Sequence, residues 1–86
     1  MLSAQRREAA IPELQSWANH ITERVDPSVD VKVEFDADSN TFLLRLAKGA
    51  RVLIFRLSQT QVHTDGREAE CERTLIRKIK DLWNLI

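Results

Sequence analysis

Thr41-Phe42-Leu43-Leu44-Arg45-Leu46-Ala47-Lys48-Gly49-Ala50-Arg51-Val52-Leu53-Ile54-Phe55-Arg56-Leu57-Ser58 holds two β-prone runs separated by a single Gly-Ala step. Glycine in the first of two central positions suits the positive φ of a type II′ turn, whose twist matches the strands it joins. Such a turn sets Lys48 opposite Arg51 and dictates the remaining register. Leu46 then faces Leu53, Leu44 faces Phe55, and Phe42 faces Leu57. All of these are large and apolar and share one face, so their chemistry supports the register independently of the turn. The pattern predicts an antiparallel hairpin with strands at 41–48 and 51–58.

Upstream, Val29, Val31, Val33 and Phe35 alternate with Asp30, Lys32, Glu34 and Asp36. A period of two with one apolar side is a strand with one dry face. The polar turn Ala37-Asp38-Ser39-Asn40 returns this strand onto the hairpin. Pairing Phe35 with Phe42 brings Val33 beside Leu44 and Val31 beside Leu46, so the strands agree on one inner surface.

Helices flank this meander. Ile11, Leu14, Trp17, Ala18, Ile21 and Val25 recur at spacings of three and four, which predicts a helix over 12–24 and leaves Gln15, Ser16, Asn19, Glu23 and Arg24 mainly to solvent. Pro12 fits a first turn, and Asp26-Pro27 stops the helix because proline pushes its predecessor out of the α region. Leu75, Ile76, Ile79, Leu82, Trp83 and Ile86 make a second stripe, opened by a capping-box-like Asp65-Gly66-Arg67-Glu68. Both tryptophans are expected in the packing between helices, and Ile86 is expected to pack as well. Between the meander and this helix, residues 58–64 read as an extension of the third strand or as a loop.

The expected fold is α+β, one small domain over residues 1–86. Its order is helix, three-stranded antiparallel β-meander, helix (α-β-β-β-α), with both helices on one face of the sheet. Residues 1–10 are either a flexible lead or a short helical extension, and they could fold over the other face. Eighty-six residues, 43% hydrophobic and 30% charged, suit one globular core and leave no room for a second. Such a core supplies about 3–5 kcal/mol of net stability.

Composition also excludes. Thirteen basic residues balance thirteen acidic ones, so no net charge draws the chain to nucleic acid or an anionic membrane. The N-terminal residues lack an apolar signal core, and the longest apolar run, Val52-Leu53-Ile54-Phe55, is far too short to span a bilayer. Cys71 stands alone, which rules out an internal disulfide and a cysteine-based zinc cluster. A cytoplasmic location is the default expectation. His20 and Glu23 are one helical turn apart but have no further ligands, and His63 and Cys71 have no partners that sequence defines. Acids beside Cys71 oppose thiolate formation. No nucleotide-binding glycine loop occurs. No enzyme activity, metal or cofactor is expected.

The outer face of the sheet is the informative surface. By the register it displays Asp30, Lys32 and Glu34, then Leu43, Arg45 and Ala47, then Val52, Ile54 and Arg56. Two helices that cover one face leave Leu43, Val52 and Ile54 as an apolar patch ringed by charge, the usual make-up of a contact surface. The expectation is a non-catalytic interaction module that self-associates as a homodimer or docks a protein partner. Its contact residues are Leu43, Arg45, Val52, Ile54 and Arg56 on the open face, or an edge strand takes their place. Asp30 and Glu34 are expected to balance Arg45 and Arg56 across the sheet.

From Ser39 to Thr64 there are four bases, Arg45, Lys48, Arg51 and Arg56, and no acid. A basic hairpin of this kind is the alternative, a nucleic-acid or anion contact through Lys48 and Arg51 at the turn. The order α-β-β-β-α resembles the double-stranded RNA-binding domain, a resemblance that implies a base cluster opening the last helix. Here that stretch, Asp65-Gly66-Arg67-Glu68-Ala69-Glu70-Cys71-Glu72, has four acids besides its one base. Ala37-Asp38-Ser39-Asn40 likewise departs from the Gly-Pro-x-His loop of that family. The topology is similar; the binding motifs are absent.

Overall fold

The computed structural model of the protein describes residues 2–85. A 3₁₀ turn at Arg7–Ala10 leads into α1 (Ile11–Val25), followed by β1 (Asp30–Asp36), β2 (Thr41–Lys48), β3 (Arg51–Ser58), α2 (Gln59–His63) and α3 (Glu68–Trp83). The strands form one antiparallel sheet in the order β1-β2-β3. Phe35 pairs with Phe42, Val33 with Leu44 and Val31 with Leu46, while Leu46 pairs with Leu53, Leu44 with Phe55 and Phe42 with Leu57. This is the register that the Gly49-Ala50 turn implies. Gly49 has φ +60° and Ala50 keeps a negative φ, as a type II′ turn requires.

Both long helices pack on the inner face. Leu14, Ala18 and Ile21 from α1 and Cys71, Leu75, Ile79 and Leu82 from α3 share one buried cluster with Val33, Phe42, Leu44, Leu46, Phe55 and Leu57. Burial of such side chains contributes roughly 1.5–3 kcal/mol each, which makes this layer the main source of stability. Pro12 lies in the first turn of α1, and Asp26 ends the helix in an extended conformation before Pro27.

Three sequence expectations change. Residues 59–63 form a short helix rather than a strand or loop, because Ser58 Oγ accepts from Gln61 N–H while Gln61 Oε1 accepts from Ser58 N–H. The reciprocal capping box thus belongs to α2. α3 begins at Glu68 with Arg67 at its N-cap, two residues later than a cap at Asp65 would place it. Trp83 is 40% exposed instead of buried between helices, whereas Trp17 packs against the core edge. The expectation that Ile86 packs lies outside the described residues.

The N-terminal segment does not cross the outer face. Leu2 N–H donates to the Val62 carbonyl at 3.1 Å, and the Ser3 carbonyl accepts from buried His63 Nδ1 at 3.1 Å. Leu2 also joins the core, and the Arg7 guanidinium lies 5.2 Å from the Phe35 ring centroid. This anchors the segment at the α2 corner and leaves the outer side of the sheet uncovered.

Candidate interaction surface

The outer face is a grid set by the strand register. Its rows, read from β1 to β3, are Asp36–Thr41–Ser58, Glu34–Leu43–Arg56, Lys32–Arg45–Ile54 and Asp30–Ala47–Val52. Alternation sends these side chains outward because their neighbours point into the core. Ile54 is 54% exposed and Val52 42%, with Leu43 half-buried between them and β1. Leu43, Arg45, Val52, Ile54 and Arg56 therefore share one continuous surface centred on β2 and β3.

The charges settle differently from the cross-sheet expectation. Arg56 Nη1 donates to Asp36 Oδ2 at 2.8 Å, and also to Ser39 Oγ and Thr41 Oγ1. Lys32 pairs with Glu34 on its own strand at 3.5 Å. Arg45 has no ion pair among the described residues, so Glu34 and Asp30 do not balance it by direct contact. The Arg56 guanidinium holds the Asp36 carboxyl below the usual carboxylate range. This draws the cationic end of Arg56 toward the β1–β2 turn and away from Ile54.

The two cations of the β2–β3 turn are also engaged inside the molecule. Lys48 Nζ donates to Asp26 Oδ2 at 2.6 Å, and Arg51 Nη1 donates to the Trp83 carbonyl at 2.7 Å, near the C-terminal end of α3. Trp83 Nε1 donates to the same Asp26 oxygen at 2.8 Å, while Ser28 supplies its backbone N–H and hydroxyl to Asp26 Oδ1. Asp26 thereby ties the end of α1, the hairpin turn and the end of α3 together. The Lys48 bond, aided by Ser28, keeps its carboxyl far below the ordinary value.

Gln15, which the helical stripe of α1 assigns mainly to solvent, lies across the outer edge of β1. Its Oε1 accepts from Val33 N–H at 2.9 Å, and its Nε2 donates to the Val31 carbonyl at 2.8 Å. A second Nε2 hydrogen reaches Asn19 Oδ1 at 3.0 Å. One side-chain amide thus supplies the donor and acceptor that a neighbouring strand would offer. No sequence signal marked Gln15, since its role depends on where α1 crosses β1.

The remaining candidate chemistry is dispersed. His20 is exposed on α1, and His63 is buried under the N-terminal segment. Cys71 is a free, fully buried thiol whose proton affinity is raised by burial and by Glu70. Among the described residues, no three His, Cys, Asp or Glu side chains converge as a metal site. An open hollow lined by Arg73, Ile76, Arg77 and Lys80 lies along α3. Among the described residues, no helix is long and apolar enough to cross a membrane.

Fold and surface together define a small α+β domain with one uncovered sheet face. No family profile, curated protein or solved structure matches this chain.

Proposed function

We propose that the chain is a non-catalytic interaction module, self-associating or docking a protein partner through the surface of β2 and β3 around Leu43, Arg45, Val52, Ile54 and Arg56. The observation that carries this reading is the exposure of Val52 and Ile54, 42% and 54%, on a face that neither helices nor N-terminal segment cover. Exposed β-branched residues side by side, with charge around them, gain by leaving water against a complementary surface. A cytoplasmic location belongs to the same proposal, and the fold agrees with it only in needing no disulfide, since its single cysteine, Cys71, is a buried free thiol. Nucleic-acid binding through Arg45, Lys48, Arg51 and Arg56 has less support, because Lys48, Arg51 and Arg56 already hold Asp26, the Trp83 carbonyl and Asp36.

Sedimentation equilibrium from micromolar to millimolar concentration, comparing wild type with Ile54→Glu, tests the reading. The expected outcome is an oligomer that the still-folded variant no longer forms. An oligomer indifferent to the substitution would move the contact elsewhere and overturn the reading. Raising salt separates the two chemistries, since phosphate binding weakens steeply whereas apolar contact does not.

A further inference from the structure

We infer that the partner is a second copy of this chain, joined by antiparallel pairing of β3 with β3 about a two-fold axis at Ile54. The inference rests on the interaction-module reading and specifies both its occupant and its geometry.

The backbone supplies the first argument. Along an antiparallel strand, successive residues turn their N–H and C=O groups to opposite sides. The two-residue turn makes Lys48 and Arg51 a hydrogen-bonded pair, so Leu53, Phe55 and Leu57 also bond to β2. Val52, Ile54, Arg56 and Ser58 must then direct their backbone groups away from the sheet. Ser58 N–H is taken by Gln61 Oε1 at 2.9 Å. Among the described residues, no hydrogen bond from outside reaches the backbone of Val52, Ile54 or Arg56. Their open backbone groups coincide with the most exposed apolar side chains of the strand, Val52 and Ile54.

Self-complementarity supplies the second. A two-fold at Ile54 sets Ile54 against the partner's Ile54 and Val52 against the partner's Arg56, each pair exchanging N–H and C=O groups. On the inner side, Leu53 meets the partner's Phe55, and Arg51 meets the partner's Leu57. No like charges stand opposite one another, an arrangement that a cross-strand pair requires. Arg56 presents its methylenes to Val52 because Asp36, Ser39 and Thr41 hold its guanidinium back. The Arg45 side chains are kept about 14 Å apart by the strands between them, beyond the screening length at physiological salt.

Closure supplies the third. Gln15 takes the Val31 carbonyl and the Val33 N–H in the middle of the other edge, so a pairing strand meets an obstacle there that β3 does not present at Val52, Ile54 and Arg56. Pairing of β3 with the partner's β1 would continue without end, whereas β3 with β3 ends at a dimer. The occupant that fits one open, self-complementary edge is another such edge.

Amide hydrogen exchange of the wild-type protein across the same concentration range is the decisive experiment, with sedimentation equilibrium beside it. The pairing predicts that Val52, Ile54 and Arg56 amides exchange at open-chain rates when dilute and become protected in step with dimer formation. Ile54→Pro removes an N–H that the monomer does not use, so the monomer folds while the association constant falls about a hundredfold. A dimer whose three amides stay unprotected, and which Leu43→Glu abolishes, would overturn edge pairing and leave sheet-face association standing. A monomer at every concentration would overturn the pairing and self-association together. If Ile54→Pro fails to fold, the wild-type exchange pattern still decides.

Discussion

β1 and β3 border the same sheet and both turn alternate backbone groups outward, yet the protein treats them differently. β1 lies under α1, and the Gln15 amide bonds Val31 and Val33 as a further strand would. β3 carries a capping box at one end, through Ser58 and Gln61, and leaves Val52, Ile54 and Arg56 open. The side chains follow the same division. The outer side of β1 is Asp30, Lys32 and Glu34, all exposed and charged, whereas that of β3 centres on Val52 and Ile54. Exposed edges invite unwanted pairing, and charge together with a plugging side chain is how an edge is made safe. A protected edge beside an unprotected one makes the open edge the informative half of the molecule.

Removing the plug should erase the difference. Gln15→Ala strips Val31 and Val33 of their partners, with an expected destabilisation of about 1–2 kcal/mol in urea unfolding. Exchange at the Val33 amide should quicken selectively. With both edges open the chain should also grow past a dimer, a change that sedimentation reads directly. An unchanged Val33 amide in this variant would remove the basis of the contrast.

A smaller change sharpens the comparison from the other side. Gln61→Ala deletes the acceptor for Ser58 N–H and undoes half of the capping box. Stability should drop by about 1 kcal/mol in thermal unfolding, and the open stretch of β3 should lengthen to include Ser58. The Ser58 amide is the reporter, expected to lose its protection in the dilute monomer.

Acid should give the most graded effect. Asp26 and Asp36 have folded-state proton affinities below their unfolded values, caused first by Lys48 and by Arg56 respectively. Groups of this sign contribute stability that is whole above the unfolded carboxylate value and is lost as pH falls toward the folded one. The thermal midpoint should therefore stay nearly level above about pH 5 and decline below about pH 4. Asp26→Asn should flatten part of that decline, and added salt should weaken both ion pairs. Protonating Asp36 also frees the Arg56 guanidinium beside the open edge, so dimerisation should weaken over the same range.

Much of the meander was legible before folding was considered. The Gly49-Ala50 turn and the alternation of Phe42, Leu44 and Leu46 against Leu53, Phe55 and Leu57 are local features that force one register. The outer-face residues followed by parity alone. Ser58-Gln59-Thr60-Gln61 also carried a readable capping signature, but its polar, β-prone composition concealed a helix of only five residues. Asp26 was legible as a helix stop and not as a hub, since Lys48 and Trp83 reach it from 22 and 57 residues away. Trp83 matched the apolar stripe of α3, but it stands at the helix end, where its indole N–H finds Asp26 instead of the core.

The sequence by itself determined the order of the two long helices and three strands, the strand register and the identity of both sheet faces. Turn geometry and the two periodicities act over a few residues and need no knowledge of the rest of the chain. Only the tertiary structure decided which sheet edge is plugged at its centre. That depends on the path of α1 over β1, which brings Gln15 within hydrogen-bond distance of Val31 and Val33. It likewise decided that Lys48 and Arg51 bind Asp26 and the Trp83 carbonyl, because such contacts exist only once distant segments pack on a shared core.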